Sequence, residues 1–199
     1  MPVFANAAAF DAPAGRLLAL GTDFSPGRAL VDGQGRVVAH ARTGGMMSPA
    51  RCALAAGTTI YRFGSQQSPR EIGKGAWWLE KREFEQVINF ANAHGIFVGL
   101  AMRLLCLVPP EWSDASVLIR ARVAQPLLAW RGLANTVVTP AGEGGGVVRM
   151  PHQNELSARR VHQLFIPGLK ERVAVDPLIS LEHVFHLDPD DSARGFLYL

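Results

Sequence analysis

The chain has 199 residues, 48% of them hydrophobic, and at this length it can bury one sizeable core without a metal or disulfides. Its 20 basic and 17 acidic residues leave a net charge of +3. The basic residues are scattered along the chain and form no stripe, which disfavours a dedicated duplex-binding surface. The two cysteines, Cys52 and Cys106, are too few for a disulfide framework or a zinc site and are interpreted as buried free thiols.

The N-terminal segment does not resemble a secretory signal, since it has no basic first region and carries Asp11 and Pro13 before its apolar stretch. The longest apolar run, residues 96–108, contains Arg103 and ends at a Pro-Pro pair, so it is too short and too polar to span a bilayer. We therefore expect no membrane association. The protein would be cytoplasmic, or delivered into a target cell by a route without a cleaved signal peptide.

Turn-forming sequences dominate the first fifty residues, at 25–27, 32–35 and 43–45. Residues 29–31 and 36–40 fit a short hairpin, but an irregular lead-in fits the same glycine-rich sequence equally well. We therefore interpret residues 1–56 as an N-terminal extension packed on a main domain formed by residues 57–199.

The pattern becomes clearer from residue 57. The sequence TTIYRF, bounded by Gly57 and Gly64, predicts a strand because it is rich in β-branched and aromatic residues. A polar loop separates it from AWWL, which predicts a second strand. That strand leads directly into a helix predicted over residues 80–93. The apolar face of this helix is predicted to consist of Phe84, Val87, Ile88 and Ala91.

Periodicity does not distinguish a buried strand from a buried helix over residues 96–108. The sequence VLIRARV alternates apolar and charged residues, which predicts a half-buried strand with Arg120 and Arg122 facing solvent. Further strand-like runs, a glycine-rich loop and a short helix follow, so the predicted fold class is α+β. These runs lie at residues 127–130, 147–150, 162–166, 178–185 and 196–199.

The order of these segments resembles the ADP-ribosyltransferase superfamily, particularly such domains of bacterial polymorphic toxins. The resemblance covers about residues 57–169. It consists of Tyr-Arg on a first strand, a glycine-rich loop, an aromatic strand running into a helix, the extended sequence RVAQPLLAW, a second glycine-rich loop and Gln-x-aromatic-x-Pro. It implies an α+β fold in which two small β-sheets clasp an NAD cleft and helices pack outside.

The resemblance implies NAD-binding roles in the first two of these segments. Arg62 would hold a phosphate or ribose of NAD, and Gly64 and Ser65 would let the backbone approach a phosphate closely. Outside the family context, Arg62 is simply an exposed arginine at a strand end. One of Trp77 and Trp78 would stack on nicotinamide, while the other points to the opposite face and joins the core.

The third segment departs from the family, whose glutamate at this position holds the ribose and stabilises the oxocarbenium-like transition state. Gln163 is the matching residue here, and its amide can bond a ribose hydroxyl but supplies no negative charge. Glu155 is the nearest carboxylate that could assist catalysis, followed by Glu143 in the glycine-rich loop.

The implied function is an NAD-dependent ADP-ribosyltransferase or NAD glycohydrolase, with NAD as substrate and a protein, a nucleic acid or water as acceptor. Such a toxin or effector would have an immunity or inhibitor protein as partner. Two alternatives stay open: a non-catalytic module of the same fold that binds a nucleotide or a protein, and an unrelated α/β domain. No metal site is predicted, because His183 and His186 of EHVFH lack a suitably placed third ligand.

Overall fold

The N-terminal segment forms two short helices and a hairpin. The computed structural model describes residues 3–25, 27–65, 71, 73–141, 145–169 and 178–187. The hairpin is confirmed, and its turn is stabilised by Asp32, whose Oδ1 accepts hydrogen bonds from the backbone N–H groups of Gln34 and Arg36. These elements are α1 (Ala7–Asp11), α2 (Pro13–Ala19), β1 (Ala29–Val31) and β2 (Val37–His40).

Among the described residues, seven strands form an antiparallel sheet, and a separate hairpin follows its fifth strand in the chain. The sheet strands are β3 (Met46–Leu54), β4 (Thr59–Gly64), β5 (Trp77–Glu80), β6 (Val117–Val123), β7 (Leu127–Ala134), β10 (His162–Phe165) and β11 (Ile179–His186). The hairpin consists of β8 (Val137–Ala141) and β9 (Gly146–Met150). The order across the sheet is β11-β6-β4-β5-β10-β7-β3.

The sheet divides into two halves at β5, which changes partner midway. Trp77 and Trp78 pair with β10, whereas Leu79 and Glu80 pair with β4. A core cluster shared by both halves fills the space between them, and each large aliphatic side chain buried there contributes about 1.5–3 kcal/mol. From one half come Leu54, Leu127 and Leu164, and from the other come Ile60, Ile119 and Ile179. The predicted α+β fold class is therefore confirmed.

Two helices cover the other face of β4, β5 and β6. Helix α3 (Lys81–His94) buries the predicted apolar face and ends at Gly95, which adopts the left-handed conformation (φ 60°) that favours glycine. The apolar run at residues 96–108, whose sequence suits either a strand or a helix, forms helix α4 (Val98–Cys106). Its buried Ala101, Met102 and Leu105 recur at helical spacing. No single helix within the described ranges is long and apolar enough to cross a membrane, although α3 and α4 pass by length and composition as a pair bent by 118°.

The first 56 residues also contribute β3 to the main sheet, where it pairs with β7 as an edge strand. Its sequence does not predict a strand, because Pro49 interrupts it. In the structure the strand accommodates Pro49 at a bulge, where Ser48 has a positive φ of 45°. The buried Asn6 connects the segment before α1 to the half of the sheet that contains β7. Its amide donates to the carbonyls of Leu128 and Pro167 and accepts from the Leu128 N–H, at 2.8–3.0 Å.

An ion-pair cluster joins the two halves of the sheet. Arg131 of β7 lies 3.0 Å from a carboxylate oxygen of Glu80 and 2.5 Å from one of Glu83, in the first turn of α3. Glu83 is only 4% exposed. Although burial opposes the charge, these hydrogen bonds raise the pKa of Arg131. The cluster therefore connects the half that contains β7 to the helix that covers the other half.

The remaining strand predictions largely agree with the structure. Residues 117–123 form β6, in which Arg120 is half-buried and Arg122 is exposed, both paired with Glu182 of β11. The short helix predicted before β10 is a single 3₁₀ turn, Ser157–Arg159. The strand predicted at residues 196–199 and the candidate Glu143 lie outside the described residues.

Candidate functional site

A cavity of about 250 Å³ lies beside β5, the strand that changes its pairing partner between the two halves of the sheet. Arg62 of β4, Trp77 and Trp78 of β5 and Gln163 of β10 all line it. The structure thus brings together four of the seven residues that the sequence proposes for the site. Apolar side chains supply much of the remaining wall: Tyr61 and Phe63 from β4, Met102 from α4, and Leu107 directly after α4.

Arg62 carries a largely buried positive charge, unlike the exposed arginine expected at a strand end. Its Nη1 donates to the carbonyl of Trp77 at 2.7 Å, and its Nε is buried without a hydrogen-bond partner. Within the described part of the chain, Arg62 forms no ion pair with a carboxylate. Burial lowers its pKa to about 10, so the guanidinium is still protonated at neutral pH.

Close packing against Gly75 holds the Arg62 guanidinium in place. A Cβ atom at position 75 would lie 2.0 Å from the Arg62 Cζ, so no larger residue fits there without moving the arginine. The guanidinium is therefore confined beside β5, next to the cavity.

The two tryptophans of β5 point to opposite faces, as strand alternation predicts. Trp78 is 2% exposed, belongs to the central core, and donates its indole N–H to the carbonyl of Gly75 at 2.7 Å. Trp77 is half-buried and packs edge-on against Phe165, with ring centroids 5.1 Å apart. Stacking of nicotinamide on either ring stays a prediction.

Gln163 is 8% exposed, and a hydrogen bond to the end of α4 orients its amide. The Nε2 atom donates to the carbonyl of Cys106 at 2.9 Å. Because a backbone carbonyl only accepts, the amide nitrogen must face it, and Oε1 is left as the group that can accept from a ligand. Among the described residues no donor bonds to that Oε1.

Cys106 also lines the cavity, but its thiol is unsuited to act as a nucleophile. Burial raises its pKa to about 12, so the reactive thiolate is scarce at neutral pH. Both cysteines are free: Cys106 is buried as expected, whereas Cys52 is only half-buried.

The other three predicted residues do not line the cavity. Gly64 is buried at the end of β4, and the Ser65 hydroxyl bonds to Ser113 and to the backbone N–H of Asp114. Glu155 is exposed on the loop before β10. Arg62 is thus the single charged residue among the described residues that line the cavity, and none of them is a carboxylate.

Asn135 and Trp112 are among the cavity residues that were not identified from the sequence. Asn135 follows β7, and because its Oδ1 accepts from the Thr136 N–H at 2.8 Å, its Nδ2 is the group that can donate to a ligand. Trp112 lies in the loop between α4 and β6. A lone aromatic residue in the polar sequence PEWSD was the available signal for Trp112. Asn135 had none, because asparagine is common between strands.

The described residues contain no group of three or more His, Cys, Asp or Glu side chains that could hold a metal ion. His183 and His186 lie on β11, and His183 Nδ1 is 2.8 Å from a guanidinium nitrogen of Arg120. The two histidines therefore belong to a sheet surface with its own polar contacts.

No protein-family model and no curated protein matches the chain. Among solved structures, a chain of "Rhs1-CT in complex with cognate immunity protein RhsI1" is similar over 77% of this chain and 89% of its own, with 15% identity and a TM-score of 0.41. A similarity of this size carries no argument about ligands, chemistry or partners. The resemblance to ADP-ribosyltransferases therefore depends on the residues named above.

Proposed function

We propose that this protein binds NAD in the cavity beside β5 and cleaves the bond between nicotinamide and ribose. One observation carries the proposal: Arg62, Trp77, Trp78 and Gln163 come from three separate strands, yet they line one cavity. They are four of the seven residues that the family resemblance proposes for the NAD site. Such a meeting of distant residues in a single concave site is typical of ligand-binding pockets.

The charge of the cavity suits an anionic ligand. Arg62 is half-buried, its Nε is fully buried, and it has no carboxylate partner in the described residues, so a phosphate would supply the missing negative charge. At about 250 Å³ the cavity is smaller than the roughly 300–1,000 Å³ of typical ligand pockets. It therefore suits one end of a dinucleotide, with the rest of NAD lying outside.

Gln163 is the proposed ribose-binding residue, since its Oε1 can accept a hydrogen bond from a ribose hydroxyl. In the reaction, the C–N bond to nicotinamide breaks and nicotinamide leaves with the bonding electrons. A nucleophilic group of a macromolecule, or water, then attacks the sugar carbon and loses its proton. The neutral amide does not offset the positive charge on the sugar, so we expect slow turnover.

A second candidate function is a binding module that recognises a nucleotide or a protein without cleaving NAD. The observation that favours it is the absence of any carboxylate among the described residues that line the cavity, combined with the exposed position of Glu155. In that case NAD or a related nucleotide binds, and nicotinamide is not released.

The experiment that separates the two functions measures NAD binding by calorimetry and nicotinamide release by chromatography, at matched folded fraction. Gln163→Ala should lower release by about tenfold or more. Gln163→Glu should raise it, by as much as about 100- to 1,000-fold, because a carboxylate would stabilise the charge on the sugar. Gln153→Glu, in an exposed loop, is the matched control.

The pH dependence of Gln163→Glu provides a further test. An ionised carboxylate at 163 would face the carbonyl of Cys106, so the pKa of the new side chain should be raised and its rate enhancement should grow with pH. If release is unchanged in Gln163→Ala and Gln163→Glu at every pH, Gln163 is not catalytic. Detectable NAD binding together with no release in any variant supports the binding module.

A role as a bacterial toxin or effector belongs to the same proposal and is supported by the sequence resemblance. The acceptor would be a macromolecule, and a producing cell would need an immunity or inhibitor protein. Labelled NAD incubated with whole-cell lysate reports the acceptor class. Expression of the chain and of its Arg62→Met variant in bacteria reports toxicity, and equal growth of both strains would contradict a toxic activity at this site.

A further inference from the structure

Trp112 lines the cavity but has no place in the site proposed from the sequence. It lies in the loop between α4 and β6 and is 46% exposed, which is unusual for the largest apolar side chain. Trp77 and Trp130 pack on other aromatic rings, at 5.1 Å and 4.4 Å between centroids, whereas no such contact involves Trp112 in the described part of the chain.

The loop that carries Trp112 is held firmly at its base. Leu107 and Ala115 both adopt the left-handed conformation, with φ values of 52° and 54°, although neither is glycine. Such conformations persist only where surrounding contacts enforce them, and they concentrate at ligand sites. Here Arg103 donates to the carbonyl of Ser113, and Asp114 accepts from both the backbone N–H and the hydroxyl of Ser116.

The indole ring of Trp112 reaches across the edge of the cavity to the segment before β3. A Cβ atom at Gly44 would lie 2.9 Å from the Cη2 atom at the tip of the ring. Gly44 also has a φ of +64°, a conformation that favours glycine, and a larger side chain there would displace the tip of the ring. Gly45 and Val137 line the cavity beside this contact. The tip of the ring therefore packs against this segment at the edge of the cavity, while nearly half of the side chain stays exposed.

The other two indole rings of the cavity are already engaged. Trp78 is buried in the core with its N–H bonded to Gly75, and Trp77 packs against Phe165. Of the three indole rings that line the cavity, Trp112 is the most exposed and has no aromatic partner among the described residues, so it offers a planar ligand ring more open surface than either tryptophan of β5. Aromatic side chains stack on nucleotide rings, and removing such a side chain typically lowers the binding affinity by about tenfold.

We propose that Trp112 is the aromatic residue that stacks on the nicotinamide ring of NAD and closes the cavity over it. This inference rests on the proposed function, which places the nicotinamide end of NAD beside Gln163. It assigns the stacking role to Trp112 in place of Trp77 or Trp78.

The test compares carba-NAD, whose nicotinamide–sugar bond does not hydrolyse, with ADP-ribose, which lacks nicotinamide. Each is titrated by calorimetry into the parent protein and into Trp112→Leu, Trp112→Phe and the control Trp130→Phe. We expect Trp112→Leu to weaken carba-NAD binding about tenfold and ADP-ribose binding less than about twofold. Trp112→Phe should retain most of the affinity, and Trp130→Phe all of it.

Tryptophan fluorescence gives a second measurement that does not depend on the Leu variant folding. Carba-NAD should quench the emission of the parent and of Trp130→Phe, and most of this quenching should disappear in Trp112→Phe. If Trp112→Leu loses equal affinity for carba-NAD and ADP-ribose, or if quenching is unchanged in Trp112→Phe, the stacking role is overturned while NAD binding stands. Failure of the parent to bind carba-NAD would instead overturn the proposed function, and the role of Trp112 with it.

Discussion

Replacement of Arg62 by Met should make the protein more stable while abolishing most of its affinity for NAD. Met keeps the length and much of the apolar stem of arginine but removes the charge. Burial that lowers the pKa of Arg62 to about 10 corresponds to about 3 kcal/mol of unfavourable free energy for the charged form. The charge is therefore retained at a cost to stability, as expected of a ligand-binding group.

The net gain in unfolding free energy from Arg62→Met should be smaller than the cost of burying the charge. The substitution removes the hydrogen bond from Arg62 to the carbonyl of Trp77, and losing one such bond and leaving its acceptor unpaired costs about 1–2 kcal/mol. Arg62→Met should therefore unfold with a free energy about 1–2 kcal/mol larger than that of the parent. Its affinity for NAD should fall at least about tenfold, because a charge-assisted bond to phosphate is lost.

The pH dependence of this difference follows from the direction of the pKa shift. The folded-state pKa of Arg62 lies below the unfolded-state value, so between about pH 10 and that higher value the unfolded chain binds more protons. Stability contributed by this group therefore rises with pH in that window. Below it both states are protonated, and the stability difference between Arg62→Met and the parent should be constant from about pH 6 to 9.

Urea denaturation followed by circular dichroism measures the stability, and calorimetry measures the affinity. Arg82→Met, on the exposed face of α3, is the matched control and should change stability by less than about 0.5 kcal/mol. A loss of more than about 1 kcal/mol in Arg62→Met would show that the buried charge has a stabilising partner. An unchanged NAD affinity would refute the assignment of Arg62 to the phosphate or ribose.

Three further predictions concern residues outside the proposed chemistry. Glu83→Gln should lower the unfolding free energy by about 1–3 kcal/mol, since it leaves Arg131 with one charged partner, and an unchanged urea midpoint would contradict the importance of this cluster. Asn6→Ala should cost about 2–3 kcal/mol, because three buried hydrogen bonds are lost, and a cost below about 0.5 kcal/mol would show that water replaces the amide. Iodoacetamide near about pH 8 should modify the half-buried Cys52 before Cys106, whereas mass spectrometry that finds Cys106 modified first would show that its thiol is accessible and ionised.

The sequence by itself determined the elements whose signals are local. The alternation in VLIRARV predicted β6 with its arginines outward, and the spacing of Phe84, Val87 and Ala91 predicted the buried face of α3, because such patterns depend only on backbone geometry. It also identified Arg62, Trp77, Trp78 and Gln163 as candidate site residues through their order along the chain.

Tertiary structure alone decided the features that depend on contacts between distant residues. The apolar run at 96–108 became helix α4 because it packs beside α3 on the sheet, and its composition suits either structure. Arg62 proved to be half-buried and Trp112 proved to line the cavity, since exposure is set by whatever packs on a residue from elsewhere in the chain. The lack of a carboxylate among the described lining residues has the same cause: position along the chain brings Glu155 within eight residues of Gln163, but the fold leaves it exposed outside the cavity.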